Sequence, residues 1–157
     1  HGNWFPWLKS ELEEKGRKVW AHDLPNTDRP NQKDWLDVIF SNKHWKFNDE
    51  SVMIGHSAGA TLILRILERL PKDTQIHKAI LVAGVVERGT KPEYLQYKED
   101  LVKAPFNWKK ISQSCKKMYF IHSKNDPYEC GADQGEIMHK HLGGETTFNF
   151  ESDHLTI

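Results

Sequence analysis

Apolar and polar positions alternate along this chain in two distinct periods. Residues 4–15 read as a helix, with Pro6 in its first turn and Gly16 as the C-cap. Residues 18–22 (Lys-Val-Trp-Ala-His) have the composition of a strand, and residues 23–30 leave it as a loop closed by Pro30. Residues 32–42 form a second helical pattern with Trp35, Val38 and Ile39 on one face. A short apolar run at 51–54 leads through a turn into a helix over 58–70, stopped by Pro71. Residues 78–85 are an apolar run of the kind buried on both faces of a parallel sheet. Residues 87–113 are irregular, with Pro92, Pro105 and scattered aromatics. A strand at 117–122, a helix at 133–142 closed by Gly143-Gly144, and a strand at 146–150 complete the series. Alternating strands and helices predict an α/β fold: a three-layer α/β/α sandwich on a mostly parallel sheet with right-handed crossovers. The pattern describes a single domain over 1–157, with 87–113 as a small cap segment.

The turn between the strand at 51–54 and the helix at 58–70 changes the picture from fold to chemistry. It reads Gly55-His56-Ser57-Ala58-Gly59, a Gly-x-Ser-x-Gly motif in the strand-turn-helix setting of a nucleophile elbow. Both glycines are expected for steric reasons, since a strand reversing sharply into a helix leaves no room beside the nucleophile. The N–H groups of the following helix lie where a developing negative charge is stabilised.

A serine hydroxyl needs a base, and the base an orienting acid, arriving in the chain order Ser, acid, His. Both partners belong just past the carboxyl ends of strands. Asp126 follows the strand at 117–122, and His154 follows the strand at 146–150. Asp133 competes as the acid but reads as an N-cap, and the side chain of Asp153 diverges from its neighbour His154. Of the nine histidines, His1, His22, His44 and His77 lie outside the expected order, and His122 precedes the acid. His56, inside the elbow, is expected to pack or to support. His139 and His141 are two apart on a helix, point apart and are expected to be solvated, without a metal site.

Lys plus Arg and Asp plus Glu both number 22, so no basic footprint for nucleic acid or a membrane surface is present. No apolar stretch approaches the ~18 residues of a membrane helix. Cys115 and Cys130 lack metal or redox spacing and read as reduced thiols of a cytoplasmic protein.

With these residues the chain resembles the α/β-hydrolase superfamily and, more narrowly, the retinoblastoma-binding protein 9 (YdeN-like) group of serine hydrolases. The resemblance is carried by Trp4-Phe5-Pro6-Trp7-Leu8, the elbow at 55–59, Leu81-Val82-Ala83, the segment from Pro105 to Ile111 leading to Cys115, Asp126-Pro127 and Asp153-His154. It implies Ser57 as nucleophile, Asp126 as acid and His154 as base. The N–H of Ala58 is the expected oxyanion donor, with the second donor near Asn3 or upstream of His1. The family's first strand and last helix have no counterpart in the sequence, so the chain is expected to be a fragment or to have trimmed ends. The implied activity is hydrolysis of a small-molecule ester, thioester or amide with no cofactor. Two alternatives remain: an acyltransferase on the same triad, and a non-catalytic module binding a protein partner. Tyr94, Tyr97, Phe106 and Trp108 are expected either to line an acyl pocket or to pack against helices.

Overall fold

The computed structural model of the protein describes residues 4–150 and 153–155. Helix α1 (Phe5–Glu14) has proline in its first turn and no buried residue. Lys15 caps it, and Gly16 follows at φ +74 with its N–H on the Glu13 carbonyl (2.9 Å). Gly16, expected as the cap, thus lies one residue beyond it, at the left-handed position where glycine carries no steric cost. Helix α2 (Gln32–Ser41) starts at Asn31, whose side chain accepts the Asp34 N–H (3.0 Å) and buries Trp35 and Leu36 behind it. Strand β1 (Val52–His56) then enters α3 (Ala58–Arg69), which leads to β2 (Ile76–Val82). The irregular stretch resolves into three short helices, α4 (Pro92–Leu95), α5 (Glu99–Val102) and α6 (Trp108–Ser114). Strand β3 (Cys115–Ser123), α7 (Ala132–Leu142) and β4 (Glu145–Phe150) complete the order.

The four strands are all parallel and lie in the order β1-β2-β3-β4. Helix α3 packs on β1 and β2, α7 packs on β3 and β4, and α6 touches both helices. Crossovers of one hand between strands laid down in one direction put their helices on one face of a sheet, which is what these contacts describe. That face buries Met53, Ala79, Leu81, Met118 and Phe120 beneath Leu64, Leu67 and Met138. The run at 78–85 was expected to be buried on both faces, but Ile80 and Lys78 are half-buried among the described residues. Alternate residues of a strand face opposite sides, so among the described residues the row of Ala79 and Leu81 is fully covered and the row of Lys78 and Ile80 only in part. Helix α1 begins on the other side, where Trp4 meets the ring of His56 edge-on (6.2 Å).

Two further expectations are corrected. Residues 18–22 form no strand, because an extended segment becomes one only through a ladder and this segment pairs with none of the described strands. Instead Trp20 packs on Trp45 (5.9 Å) and Lys18 donates to the His44 carbonyl (3.3 Å). Asp133 is not an N-cap: Gly131 caps α7, and Asp133 lies in the first turn, accepting from the Gln134 amide (2.8 Å). No helix among the described residues is long and apolar enough to cross a membrane.

Candidate active site

Ser57 stands at the carboxyl end of β1 with φ 55 and ψ −125, a strained conformation for a residue with a side chain. The strain is held in place by the sheet: the Ser57 N–H donates to the Val82 carbonyl of β2 (2.8 Å), while the Ser57 carbonyl accepts from Ala60 N–H (3.0 Å) in α3. Its side chain makes no capping hydrogen bond, so its hydroxyl is not spent on the helix. Ala58, the next residue, is the first of α3, and helix geometry gives its N–H no intrahelical acceptor.

The two glycines of the motif differ. A Cβ on Gly55 would lie 2.5 Å from the Gly59 carbonyl oxygen and 2.8 Å from the Ala60 nitrogen, both backbone atoms. A Cβ on Gly59 meets nothing within 4 Å among the described residues. The steric expectation therefore holds for Gly55 and is corrected for Gly59, whose carbonyl turns toward Gly55 while the place of its own Cβ is open space.

Past the end of β3, Asp126 has a side chain with 0% exposure, and past β4, His154 is buried. Asp126 Oδ2 accepts from His154 Nδ1 at 2.6 Å. Its other oxygen accepts the N–H groups of Tyr128 (2.8 Å) and Cys130 (3.3 Å). The first of these closes an Asx turn before the helix, so the residue expected as the acid is also a turn aspartate. Burial pushes the Asp126 carboxyl up, but the His154 bond and charge and the two N–H groups outweigh it and hold the group below its ordinary value. With the carboxylate as acceptor, Nδ1 carries the proton and Nε2 carries the lone pair. The ladder between β3 and β4 shifts register between Ile121 and Ser123, close to where Asp126 leaves the sheet.

His56 joins the two halves of the site. Its Nε2 donates to the His154 carbonyl (2.7 Å), and the two rings lie 4.7 Å apart. Burial is the largest influence on His56 and pushes its imidazole down, toward the neutral form. The supporting role expected for His56 matches these contacts. The structure thus brings Asp126 and His154 together directly and ties the His154 backbone to His56, the chain neighbour of Ser57. Asn3, the expected vicinity of the second oxyanion donor, lies outside the described residues.

Tyr128, His122, Cys130 and Lys98 were not expected from the sequence as neighbours of this site. Tyr128 sets its ring edge against His154 (4.8 Å), and Tyr94 packs on Tyr128 (4.9 Å). His122, set aside on chain order, is fully buried beneath the acid loop with Nδ1 on the Cys130 carbonyl (2.9 Å). Cys130 Sγ lies with ligand atoms of Asp126 and His154 inside 4.8 Å, a set that has the donor types of a metal site. Burial pushes that thiol up to about 12, while the Asp126 and His154 atoms are engaged with each other. Only the aspartate and histidine left a signal in the sequence, through their position after strands. The four aromatics divide: Tyr94 reaches the site through Tyr128, Tyr97 is exposed, Phe106 lies under Arg65, and Trp108 stacks on His141 of α7 (4.6 Å).

Comparison with known proteins bears on the family and the fold. The profile of a family described as serine hydrolase matches residues 1–157. The hydrolase YdeN of Bacillus subtilis is 34% identical over 124 residues, covering 79% of this chain and 63% of YdeN. The chain therefore spans less than two thirds of that relative's length. The solved YdeN structure superposes with a TM-score of 0.87 at 27% identity, covering 98% of this chain and 80% of that one. The serine hydrolase RBBP9 of Rattus norvegicus is 26% identical over 139 residues, covering 87% of this chain and 69% of RBBP9. An esterase from Exiguobacterium antarcticum shares the fold at a TM-score of 0.66 and 16% identity, covering 99% of this chain and 83% of its own.

Proposed function

The chain belongs to the serine hydrolase family, and on that footing we propose that it hydrolyses a small-molecule carboxylic ester, thioester or amide through an acyl-enzyme. The observation that carries this reading is the buried 2.6 Å hydrogen bond between Asp126 and His154, set past the ends of two strands at the same sheet edge as the elbow. Ser57 Oγ attacks the acyl carbon, and its proton passes to His154 Nε2. Asp126 holds the imidazole in the tautomer that can accept this proton and steadies the imidazolium that forms. The oxyanion of the tetrahedral intermediate takes the Ala58 N–H, a contribution of about 3 kcal/mol per donor in comparable sites. The imidazolium then protonates the leaving alcohol, thiol or amine as the C–X bond breaks. Water enters, gives its proton to Nε2 and attacks the acyl carbon, and the returning proton releases Ser57. Every proton in this cycle moves between substrate, water and groups of the chain itself.

In this reading residues 87–113 act as a cap. The attachment of Tyr94 to Tyr128, and of Tyr128 to His154, supports it.

The test is labelling of the protein with a fluorophosphonate, with Ser57→Ala as control, followed by p-nitrophenyl esters of increasing acyl length. Labelling of the wild type that the control loses is the expected result, and Asp126→Asn or His154→Ala should slow it at least a hundredfold, roughly. A folded wild type that stays unlabelled would sink the enzymatic reading in favour of a binding module. Faster product formation with an added alcohol acceptor would redirect it to acyl transfer.

A further inference from the structure

Between the two residues whose N–H groups hold Asp126 stands Glu129, which the reaction does not use. It sits at φ 59, a left-handed conformation that a residue with a side chain keeps only where its surroundings impose it. Those surroundings come from one segment of the cap. Glu129 Oε1 accepts from Thr90 N–H (2.8 Å), Thr90 Oγ1 (2.7 Å) and Lys91 N–H (3.2 Å). Its Oε2 accepts from Lys98 Nζ (3.2 Å) and again from Lys91 N–H (3.2 Å). Lys98 is 4% exposed, and its Nζ also donates to the Tyr128 carbonyl (3.1 Å). A buried ammonium is tolerated only when paired and hydrogen-bonded, so Lys98 fixes its two acceptors as they fix it. Gly89 completes the cradle: a Cβ there would come 2.4 Å from Glu129 Oε2 and 2.9 Å from Lys98 Nζ, and its φ is +76. Burial pushes the Glu129 carboxyl up, but its donors prevail and draw it down to about 2, as expected for a carboxylate held by several N–H groups.

The loop 126–130 is thus clamped at the Tyr128 carbonyl and at the carboxylate of Glu129, the residue that separates the two Asp126 donors. We propose that Glu129 is a positioning residue for the reaction: locked by residues 89–98, it fixes the Tyr128 and Cys130 N–H groups that aim Asp126 at His154. The inference rests on the triad reading above. The cap segment then has a second task besides covering the site, since a change in its placement is transmitted through one carboxylate to the acid.

The experiment compares wild type, Glu129→Ala, Glu129→Gln and Thr90→Val in the full chain. It measures kcat and KM for p-nitrophenyl acetate, the downfield proton NMR signal of the His154 Nδ1–H, and the melting temperature. Positioning predicts that Glu129→Ala lowers kcat about ten- to a hundredfold while KM stays within about twofold, the scale of loss a small misplacement produces. The downfield proton should broaden or vanish. Glu129→Gln keeps acceptor atoms for Thr90 and Lys91 and should fall between the two. Should Glu129→Ala not fold, Glu129→Gln and Thr90→Val carry the same comparison with smaller losses of the same kind. A folded variant with wild-type kcat and an unchanged downfield signal, even at a lower melting temperature, overturns the proposal. So does a wild type lacking the downfield signal. A wild type that shows the signal but takes no fluorophosphonate defeats the hydrolase reading instead, and the proton signal of the variants still decides the clamp.

Discussion

At residue scale, one methyl group separates the two glycines of the elbow. Gly55→Ala puts a Cβ against backbone atoms of Gly59 and Ala60 that have no rotamer with which to yield. The variant is expected to lose about 1–3 kcal/mol in urea unfolding, the usual cost of overpacking, and most of its fluorophosphonate labelling. Gly59→Ala fills open space inside a helix and is expected to be neutral or to gain up to about 1 kcal/mol. Equal losses in the two variants would show that the turn is not built as described. The motif in the sequence treats the two glycines alike. Only the path of the chain around Ser57 distinguishes them, because the clash depends on which backbone returns to meet each Cα.

At the scale of elements, α3 carries an arginine inside the core. Every residue from Ala60 to Leu67 is buried, Arg65 among them at 2% exposure. Its Nε donates to the Leu101 carbonyl (2.8 Å), its Nη2 to the Ala104 carbonyl (2.5 Å) and its Nη1 to Glu68 (2.9 Å). The guanidinium also lies 3.6 Å over the Phe106 ring. The last turn of α5 and the loop after it leave these carbonyls without ladder partners, so the planar fork of Arg65 supplies what backbone would otherwise lack. Arg65→Met is expected to cost about 2–3 kcal/mol, discounted from a fully buried pair because Glu68 reaches solvent. Arg65→Lys should recover only part, since one ammonium cannot serve the same fork. A urea midpoint for Arg65→Met equal to wild type would show that the fork contributes nothing net. A helical period places an arginine anywhere on the wheel, so the sequence could not reveal that this one faces inward. The same limit applies to residues 18–22, which have strand composition but no partner among the described strands, and pairing decides what composition only permits.

At the scale of the whole molecule, acid should weaken the fold in two stages. Burial pushes His56 and His122 below their ordinary values, so both stay neutral in the native state where the unfolded chain takes up protons. Stability therefore falls as pH drops through about 6.5, because the unfolded state binds more protons. Asp126, net lowered by His154 and the loop N–H groups against burial, contributes stability above the unfolded carboxyl value. That contribution is lost on further acidification below about pH 4. Urea midpoints at pH 7.5, 5.0 and 3.5 should decline in both intervals, and His56→Gln should flatten the first. A midpoint independent of pH between 7.5 and 5.0 contradicts the buried, neutral imidazoles. The same contrast between local and long-range information runs through the molecule. Periodicity, the elbow motif and the order Ser57, Asp126, His154 were legible in the sequence, because helix faces, strand runs and tight turns are set by neighbours in the chain. Tertiary structure alone decided which row of the sheet is fully covered, which elbow glycine has no room for a Cβ, that Arg65 and Lys98 are buried, and that residues 89–98 hold Glu129 in the loop of Asp126. Each depends on groups distant in sequence approaching within a few ångströms, and the free energy of such approaches belongs to the folded whole rather than to any segment.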